Sequence, residues 1–288
     1  MRQFILPILC MTIFSQHLAA QEEIPADSTA TKRWEIGIDL VSRYIWRGQT
    51  WGGNFVAAQP SVTFLVTDKF SIGTWATTNF QNEYYYSDGI TENKGYQELD
   101  FGITYQLTDY LSLQLWDYYW PTFEKLEGVD RSYFNYGPDG VKSVDASLVF
   151  DFSDGYKFPF DATISTLVSG NDYRYDKNGE NPTRNFTTYL EAGYTFSSIL
   201  NGISPRTFKN IDLHPSVGAV LNNQAEYYTY ADYDKPSLVN LATSATREFG
   251  LGEKIKMPLS IVYTHNASTR NTEVIGRDFV TAGVSFWY

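Results

Sequence analysis

Apolar side chains alternate with polar or small ones along much of the chain after residue 33, most clearly from Arg277 to Tyr288. One face of this stretch carries Val280, Ala282, Val284, Phe286 and Tyr288. A period of two is typical of a β-strand with one apolar face. Because chain termini fray unless they are held, we expect this strand to pair with another. A barrel that closes between its last and first strands provides that partner, and the alternative is a soluble β-sandwich.

The same alternation predicts further strands throughout the chain. Their expected bounds are Arg33 to Arg47, Phe55 to Val66, Phe70 to Gln81, Tyr96 to Leu107, Leu111 onwards, Val141 to Phe152, Phe158 to Val168, Phe186 to Phe196, Ile211 to Leu221, Leu238 to Thr246 and Leu259 to His265. Long polar segments follow the odd-numbered strands except the first, and mostly short turns follow the even-numbered ones. The pattern predicts an all-β protein, a transmembrane antiparallel up-and-down β-barrel of about twelve strands with periplasmic termini.

Two places test this pattern. The first predicted strand puts Tyr44 and Trp46 on its apolar, lipid-facing side, and Gly52-Gly53 then marks the turn to the second strand. In the fifth strand Asp117 has the parity of a lipid-facing residue, although a carboxylate is unsuited to lipid. A β-bulge and a position near the membrane edge are both open explanations for Asp117.

The beginning of the chain has the pattern of a secretory signal peptide. Arg2 precedes an almost wholly apolar run from Phe4 to Phe14, and Leu18-Ala19-Ala20 offers small residues for cleavage. Cys10 is the only cysteine and lies in this run, so we expect a mature chain without disulfides. The expected organisation is a signal peptide at 1–20, a polar periplasmic lead-in at 21–32 and the barrel at 33–288.

The composition agrees with a barrel that crosses a membrane. Aromatic residues make up 17% of the chain, and the chain has 22 tyrosines, which suits aromatic girdles at two membrane interfaces. Outside the expected signal peptide, no apolar stretch approaches the length of a membrane-spanning helix. The net charge of −11 argues against nucleic acid as a partner.

Four stretches resemble the TorF-type porin family of outer-membrane barrels. They are Leu40 to Gln49, Gly73 to Thr77, Glu98 to Tyr105 and Tyr118 to Pro121. The arginine-glycine element in the first stretch is the most specific, and the resemblance covers about the first half of the mature chain. The aromatic end of the chain also looks like the C-terminal recognition strand of Gram-negative outer-membrane barrels.

This resemblance implies a porin in the outer membrane of a Gram-negative bacterium, and it implies no settled substrate. The loops are longer than those expected of the family, which implies a more occluded pore. We expect outer-membrane lipid, periplasmic chaperones, the barrel-assembly machinery and small solutes as partners, and we expect no nucleic acid.

Charged residues dominate the strand faces that are expected to point into the lumen. The acids on these faces are Glu35, Asp39, Glu98, Asp100, Asp145, Asp151, Asp161, Glu191 and Asp212. Arg43 and Arg47 oppose them, and Trp75 and Trp116 share the same faces. These residues predict a pore for passive diffusion of small polar solutes with a mild cation preference. The alternative is a barrel plugged by its own side chains, with a structural or adhesive role.

An enzyme is the remaining alternative. His214-Pro215-Ser216 resembles the His-x-Ser element of outer-membrane phospholipases, but Val217-Gly218 follows where those enzymes have Asn-Gly. Strand parity directs His214 and Ser216 into the lumen. No cluster has the spacing of metal ligands, and no glycine-rich phosphate loop is present, so we expect no cofactor and no enzyme activity.

Overall fold

A computed structural model describes part of the chain. The described residues are 33–81, 95–121, 128–153, 158–176, 178, 180–204, 206, 208–222, 235–251, 255–268 and 276–288. The predicted signal peptide and lead-in therefore lie outside the described residues. In the described part, no helix has both the length and the apolar character to span a membrane.

Most described residues belong to short or medium β-strands. In chain order these are β1 (Trp34–Val41), β2 (Tyr44–Trp46), β3 (Gln49–Trp51), β4 (Ala57–Leu65), β5 (Phe70–Thr78), β6 (Gln97–Thr108), β7 (Leu111–Tyr119), β8 (Lys142–Asp151), β9 (Phe160–Gly170), β10 (Tyr173–Arg174), β11 (Thr183–Arg184), β12 (Thr188–Tyr194), β13 (Asp212–Val220), β14 (Ser237–Leu251), β15 (Ile255–His265) and β16 (Asp278–Trp287). A 3-10 helix, Ile199–Gly202, lies between β12 and β13.

Twelve of these strands form one closed antiparallel barrel in the order β1-β16-β15-β14-β13-β12-β9-β8-β7-β6-β5-β4. The barrel closes where β1 pairs with β16, with Ile38 opposite Phe286. Tyr288 extends this pairing, because its amide donates to the Ile36 carbonyl at 3.0 Å and its carbonyl accepts from the Ile36 amide at 3.2 Å. The predicted fold class is therefore confirmed, and the barrel wall has no open strand edge.

The first predicted strand is wrong in its second half. β1 ends at Val41, and the chain then leaves the wall, so that β2 and β3 form a separate hairpin inside the barrel. Tyr44 is buried there, with 7% of its surface exposed, and Trp46 packs beside it. The predicted lipid-facing orientation of Tyr44 and Trp46 is wrong. A hairpin that packs on an aromatic lumen wall has the same alternation of apolar and polar residues as a strand that faces lipid, so the pattern does not distinguish the two. The first connection, residues 42–56, is thus long like the other odd connections.

The remaining strands match their predicted positions within a few residues, with three informative differences. β14 and β15 are longer than expected and extend toward each other across most of the predicted connection from Gly250 to Lys256. The loop after β9 contains its own two-stranded hairpin, β10–β11. The unexpectedly long connection from Ser197 to Lys209 contains the 3-10 helix.

Asp117 lies on the outer face of β7, and a loop covers it. The register of β7 is regular at this residue, opposite Phe101 on β6 and Val144 on β8, so no bulge is involved. Its carboxylate lies 2.7 Å from the Lys142 ammonium and accepts hydrogen bonds from the Tyr133 and Tyr136 hydroxyls at 3.3 and 3.1 Å. The explanation for Asp117 is therefore a position near the long-loop rim, which the sequence assigns to the extracellular side, where the loop between β7 and β8 folds back over the wall.

The outer face of the barrel is apolar and exposed. Leu99, Phe101, Ile103, Tyr105 and Leu107 of β6 are each between 39% and 46% exposed, and they alternate with buried or half-buried residues. An apolar surface of this extent is unsuited to water but matches the hydrocarbon core of a membrane.

Aromatic rings line one edge of this surface, the edge of the short turns that the sequence assigns to the periplasm. Ring contacts of 4.7 to 6.3 Å connect Tyr110, Phe150, Phe152, Phe160, Phe158, Tyr194 and Phe196 in one row. Aromatic side chains of barrels concentrate where hydrocarbon meets the polar head groups. The row therefore marks one membrane interface, and the protein is a transmembrane β-barrel of the outer-membrane type.

The topology predicts opposite labelling at two exposed sites. Ser132, in the loop between β7 and β8, and Lys69, in the turn between β4 and β5, are both exposed, so burial does not separate them. We expect Ser132→Cys to react with a membrane-impermeant maleimide on intact cells, and Lys69→Cys to react only after the outer membrane is permeabilised. Equal labelling of the two variants on intact cells would refute the assigned orientation.

Candidate functional site

The inner wall of the barrel carries the acids that the sequence assigns to the lumen. Glu98, Asp100, Asp145, Asp161 and Glu191 are buried on inward-facing positions of β6, β8, β9 and β12. The remaining predicted acids share the inward parity and are half-buried; they are Glu35, Asp39, Asp151 and Asp212. Trp75 and Trp116 are buried on the same wall. The structure thus brings the predicted acids and tryptophans to one lumen, and an open path beside them stays a prediction.

The two arginines are not on a wall strand, contrary to the prediction. Arg43 follows the end of β1, and its guanidinium carbon lies 5.2 Å from the centre of the Phe279 ring. Arg47 is carried into the lumen by the β2–β3 hairpin and is 6% exposed. The correction matters because a residue on a hairpin can change its position without a change in the barrel wall.

The hairpin turns at Arg47 and Gly48. Both residues have positive φ, 48° and 80°, and they lie between the paired residues Trp46 and Gln49. Two central residues with positive φ define a type I′ turn, the usual connection of a two-residue hairpin, which favours glycine at its second position. A Cβ on Gly48 would also overlap the carbonyl oxygen of Val239 on β14. The arginine-glycine element therefore builds the tip of the hairpin and fits it against the wall.

Aromatic contacts hold one side of the hairpin against the wall. The Tyr44 ring is 5.5 Å from Trp75 and 5.7 Å from Tyr96. Trp46 makes an edge contact with Tyr118 at 6.2 Å, and Trp51 lies 5.8 Å from Tyr96. Full burial of one large apolar side chain is worth roughly 1.5–3 kcal/mol. These contacts therefore hold the body of the hairpin in the lumen.

Arg47 reaches the part of the lumen wall that β8, β9 and β12 form. Its Nη2 donates to Asp145 Oδ2 on β8 and to Ser165 Oγ on β9, both at 2.7 Å. The guanidinium carbon lies 4.5 Å from the centre of the Trp46 ring and 4.6 Å from that of Tyr189 on β12. A planar cation between rings, bonded to a carboxylate, has the geometry of strong arginine recognition. We call the wall residues Asp145, Ser165 and Tyr189 the guanidinium seat.

The guanidinium seat is held by bonds within the wall. Ser147 Oγ donates to Asp145 Oδ1 at 2.8 Å. The Tyr189 hydroxyl donates a short hydrogen bond to Glu191 Oε2, and the same oxygen accepts from Asn240 Nδ2 at 2.7 Å. The Tyr189 ring lies over Gly218 of β13, where any Cβ would overlap the ring and its hydroxyl. Asp145 and Tyr189 are thus fixed by partners that do not belong to the hairpin.

Two further carboxylates lie near the hairpin. Glu98 Oε2 accepts hydrogen bonds from the Tyr44 hydroxyl at 3.2 Å and from the Tyr96 hydroxyl at 2.8 Å. Asp100 Oδ1 accepts from the Tyr119 amide at 3.3 Å. In the described part of the chain, neither carboxylate forms an ion pair with a basic side chain. The extracellular half of the lumen therefore combines aromatic rings with carboxyl groups.

The periplasmic half of the lumen is lined by small polar residues. The inward-facing residues there include Ser71, Thr104, Ser112, Thr163, Ser244, Thr246, Ser260 and Ser285. Among the described residues, the hydroxyls of Thr163, Ser244 and Thr246 have no hydrogen-bond partner within the protein. Because buried hydroxyl groups are normally bonded, these groups need water. This lining supplies the polar surface that an aqueous channel requires, and hydration of the interior stays a prediction.

His214 and Ser216 both point into the lumen, as predicted. His214 Nε2 lies 2.7 Å from Asp161 Oδ2 on β9, and the two described side chains of His214 and Ser216 share no hydrogen bond. The ester bonds of membrane lipids lie outside the barrel, on the other side of the wall. The geometry therefore gives a phospholipase no support, and the absence of enzyme activity stays a prediction.

Sequence reasoning identified Asp145 but missed Ser165 and Gly218, which complete the seat and its support. The available signal was local, because an arginine-glycine pair between two short alternating segments favours a type I′ hairpin rather than one long strand. A hairpin predicted at these residues would have placed Arg47 outside the first strand of the barrel wall. The strands that receive Arg47 are set by barrel geometry, which no local pattern contains.

Comparison with known proteins finds similar barrels at low sequence identity. A structure of the NanC porin matches with 10% identity and a TM-score of 0.44, covering 88% of this chain and 97% of that one. An outer membrane channel from Pseudomonas putida F1 matches with 10% identity and a TM-score of 0.44, covering 92% and 99%. LpxR from Salmonella typhimurium matches with 9% identity and a TM-score of 0.42, covering 88% and 99%. Similarity at this level says nothing about what this chain transports or catalyses.

No family model matches the chain, and no curated protein matches its sequence. The resemblance to TorF-type porins therefore stays a prediction.

The docked position of the hairpin predicts that the side chain of Gln49, next to the turn, is protected from reagents in water. Gln49 is 4% exposed, so we expect Gln49→Cys to resist an impermeant maleimide that labels Ser132→Cys on the same cells. Adding Gly48→Val should raise the labelling of Gln49→Cys at least fivefold, because a side chain there is strained at positive φ and collides with β14. Gly202→Val is the control, since a Cβ at Gly202 meets nothing within 4 Å. Full labelling of Gln49→Cys alone would contradict a docked hairpin.

Proposed function

We propose that this chain is an outer-membrane channel for the passive diffusion of small polar solutes, with a mild preference for cations. The observation that carries the proposal is the inner wall, where acids and hydroxyl groups replace the apolar residues of the outer face. Where the hairpin does not cover it, the polar face inside a closed barrel has neither lipid nor a second protein layer to contact, so water is its natural environment. Export after removal of the signal peptide at residues 1–20 belongs to this proposal.

The cation preference rests on the charge of the lumen. Among the described residues, Asp39, Glu98 and Asp100 have no basic partner, whereas Asp145 and Asp161 are paired with Arg47 and His214. Charges act on ions within about a Debye length, ~8 Å at physiological ionic strength. In a narrow lumen most of the cross-section lies within that distance of the wall. Cations should therefore be enriched and anions depleted, and the effect should grow as salt is lowered.

The hairpin adds a constriction to this channel. It contacts β5 to β7 through aromatic rings and β8, β9 and β12 through Arg47, so a solute must pass beside it. The resemblance to TorF-type porins supports the proposal, because the arginine-glycine element of that resemblance forms the tip of the hairpin. The longer loops agree with an occluded pore.

The hairpin also favours a second candidate, a plugged barrel with a structural or adhesive role. In that case the aromatic contacts of Tyr44, Trp46 and Trp51 seal the lumen permanently. The two candidates differ in one measurable property, the passage of ions through the folded protein.

Planar bilayers separate the two functions. We expect purified, heat-modifiable protein to give a small conductance in KCl, with a reversal potential that favours K⁺ and a preference that increases as KCl is diluted. Glu98→Gln with Asp100→Asn should lower the cation preference, since both carboxylates lie in the lumen. An anion-selective wild type would contradict the charge assignment. Absence of current from the folded wild type and from the folded Gly48→Val variant would establish the plugged barrel.

The enzyme alternative has its own test. We expect wild-type protein in detergent micelles to release no fatty acid from phospholipid, because His214 and Ser216 face the lumen. Release that disappears in Ser216→Ala, with the barrel still folded, would establish a hydrolase.

A further inference from the structure

We propose that the guanidinium seat is a binding site for solutes that carry a guanidinium or similar planar cation, and that the Arg47 side chain is the occupant supplied by the chain itself. A cationic solute in the channel would then exchange with Arg47 at the wall. This inference rests on the proposed channel function and adds to it a class of solute.

The chemistry of the seat selects for a planar cation. Asp145 supplies a carboxylate, Ser165 supplies a hydroxyl oxygen, and Tyr189 supplies a ring face, each from a different strand. A guanidinium group satisfies all three at once, because its N–H groups lie at the edge of a plane whose face stacks on aromatic rings. A spherical metal cation cannot stack, and a neutral solute leaves the Asp145 charge without a partner.

The seat does not depend on Arg47 for its shape. Ser147 holds Asp145 from the wall of β8, and Glu191 holds the Tyr189 hydroxyl. Gly218 provides the space in which the Tyr189 ring lies. When the Arg47 side chain leaves, these contacts stay, so a solute meets a preformed site. A preformed site costs less ordering on binding than one that must be assembled.

The hairpin allows the side chain to leave without the backbone. Arg47 lies at the apex of the turn, whereas the aromatic contacts that hold the hairpin belong to Tyr44, Trp46 and Trp51. Removing one partner of a buried ion pair is strongly destabilising, so Arg47 leaves Asp145 only as an incoming cation takes its place. Exchange at the seat is therefore a change of rotamer at Arg47, and Trp46 remains as the second ring for the incoming cation.

The experiment empties the seat and refills it from solution. In KCl bilayers, Arg47→Ala should be blocked by methylguanidinium at a concentration at least tenfold lower than wild type, where Arg47 competes. Methylurea, which has similar shape and no charge, should not block. Adding Asp145→Asn to Arg47→Ala should raise the blocking concentration at least tenfold. Arg43→Ala is the matched control, since Arg43 lies over Phe279 outside the seat and should behave as wild type.

Thermal unfolding in detergent gives a second measurement that needs no current. Methylguanidinium should raise the unfolding temperature of Arg47→Ala and should not raise that of the double variant with Asp145→Asn. Equal block, or an equal thermal shift, in the single and double variants would refute the seat. If Arg47→Ala is folded and passes no KCl current, the proposed channel function fails, and the thermal measurement alone then decides whether the seat binds a planar cation.

Discussion

Backbone pairing around a closed ring is the constraint on which this structure depends. In hydrocarbon an unpaired amide or carbonyl has no water to bond, and each such group costs several kcal/mol. Pairing of β1 with β16 removes the two edges that an open sheet of these strands would expose. Closure also separates two surfaces, so that every second residue faces lipid and the alternate residues face a lumen. The apolar outer belt and the acidic inner wall both follow from that separation.

The lumen then presents a problem of its own. It collects the charged side chains that hydrocarbon excludes, and a buried charge without a partner is unfavourable. The protein meets this problem in two ways. Near the extracellular end, the hairpin brings aromatic rings and one arginine to the carboxylates, while the periplasmic half carries short hydroxyl side chains. The same principle operates outside the wall, where the loop between β7 and β8 encloses Asp117 with Lys142 and two tyrosines.

The fold was predictable from the sequence because alternation reports directly on which side of a wall a residue lies. Strand positions, the even strand number and the inward orientation of Glu98 or Asp161 all follow from a period of two. The same signal failed at Tyr44 and Trp46, because it reports an apolar face and not what that face contacts. The guanidinium seat was harder to predict than the position of the hairpin. Asp145, Ser165 and Tyr189 lie on three strands, and only the closed barrel brings them to a hairpin that begins at residue 44.

The span of those contacts along the chain has a consequence for assembly. Arg47 bonds to Asp145 and Ser165, which lie 98 and 118 positions later in the sequence. Contacts between distant positions form slowly, because the intervening chain must first be ordered. The guanidinium seat for Arg47 does not exist until β8, β9 and β12 are in place. Seating of Arg47 is therefore a late step in barrel formation, and until it occurs Asp145 lies in the lumen without its guanidinium partner.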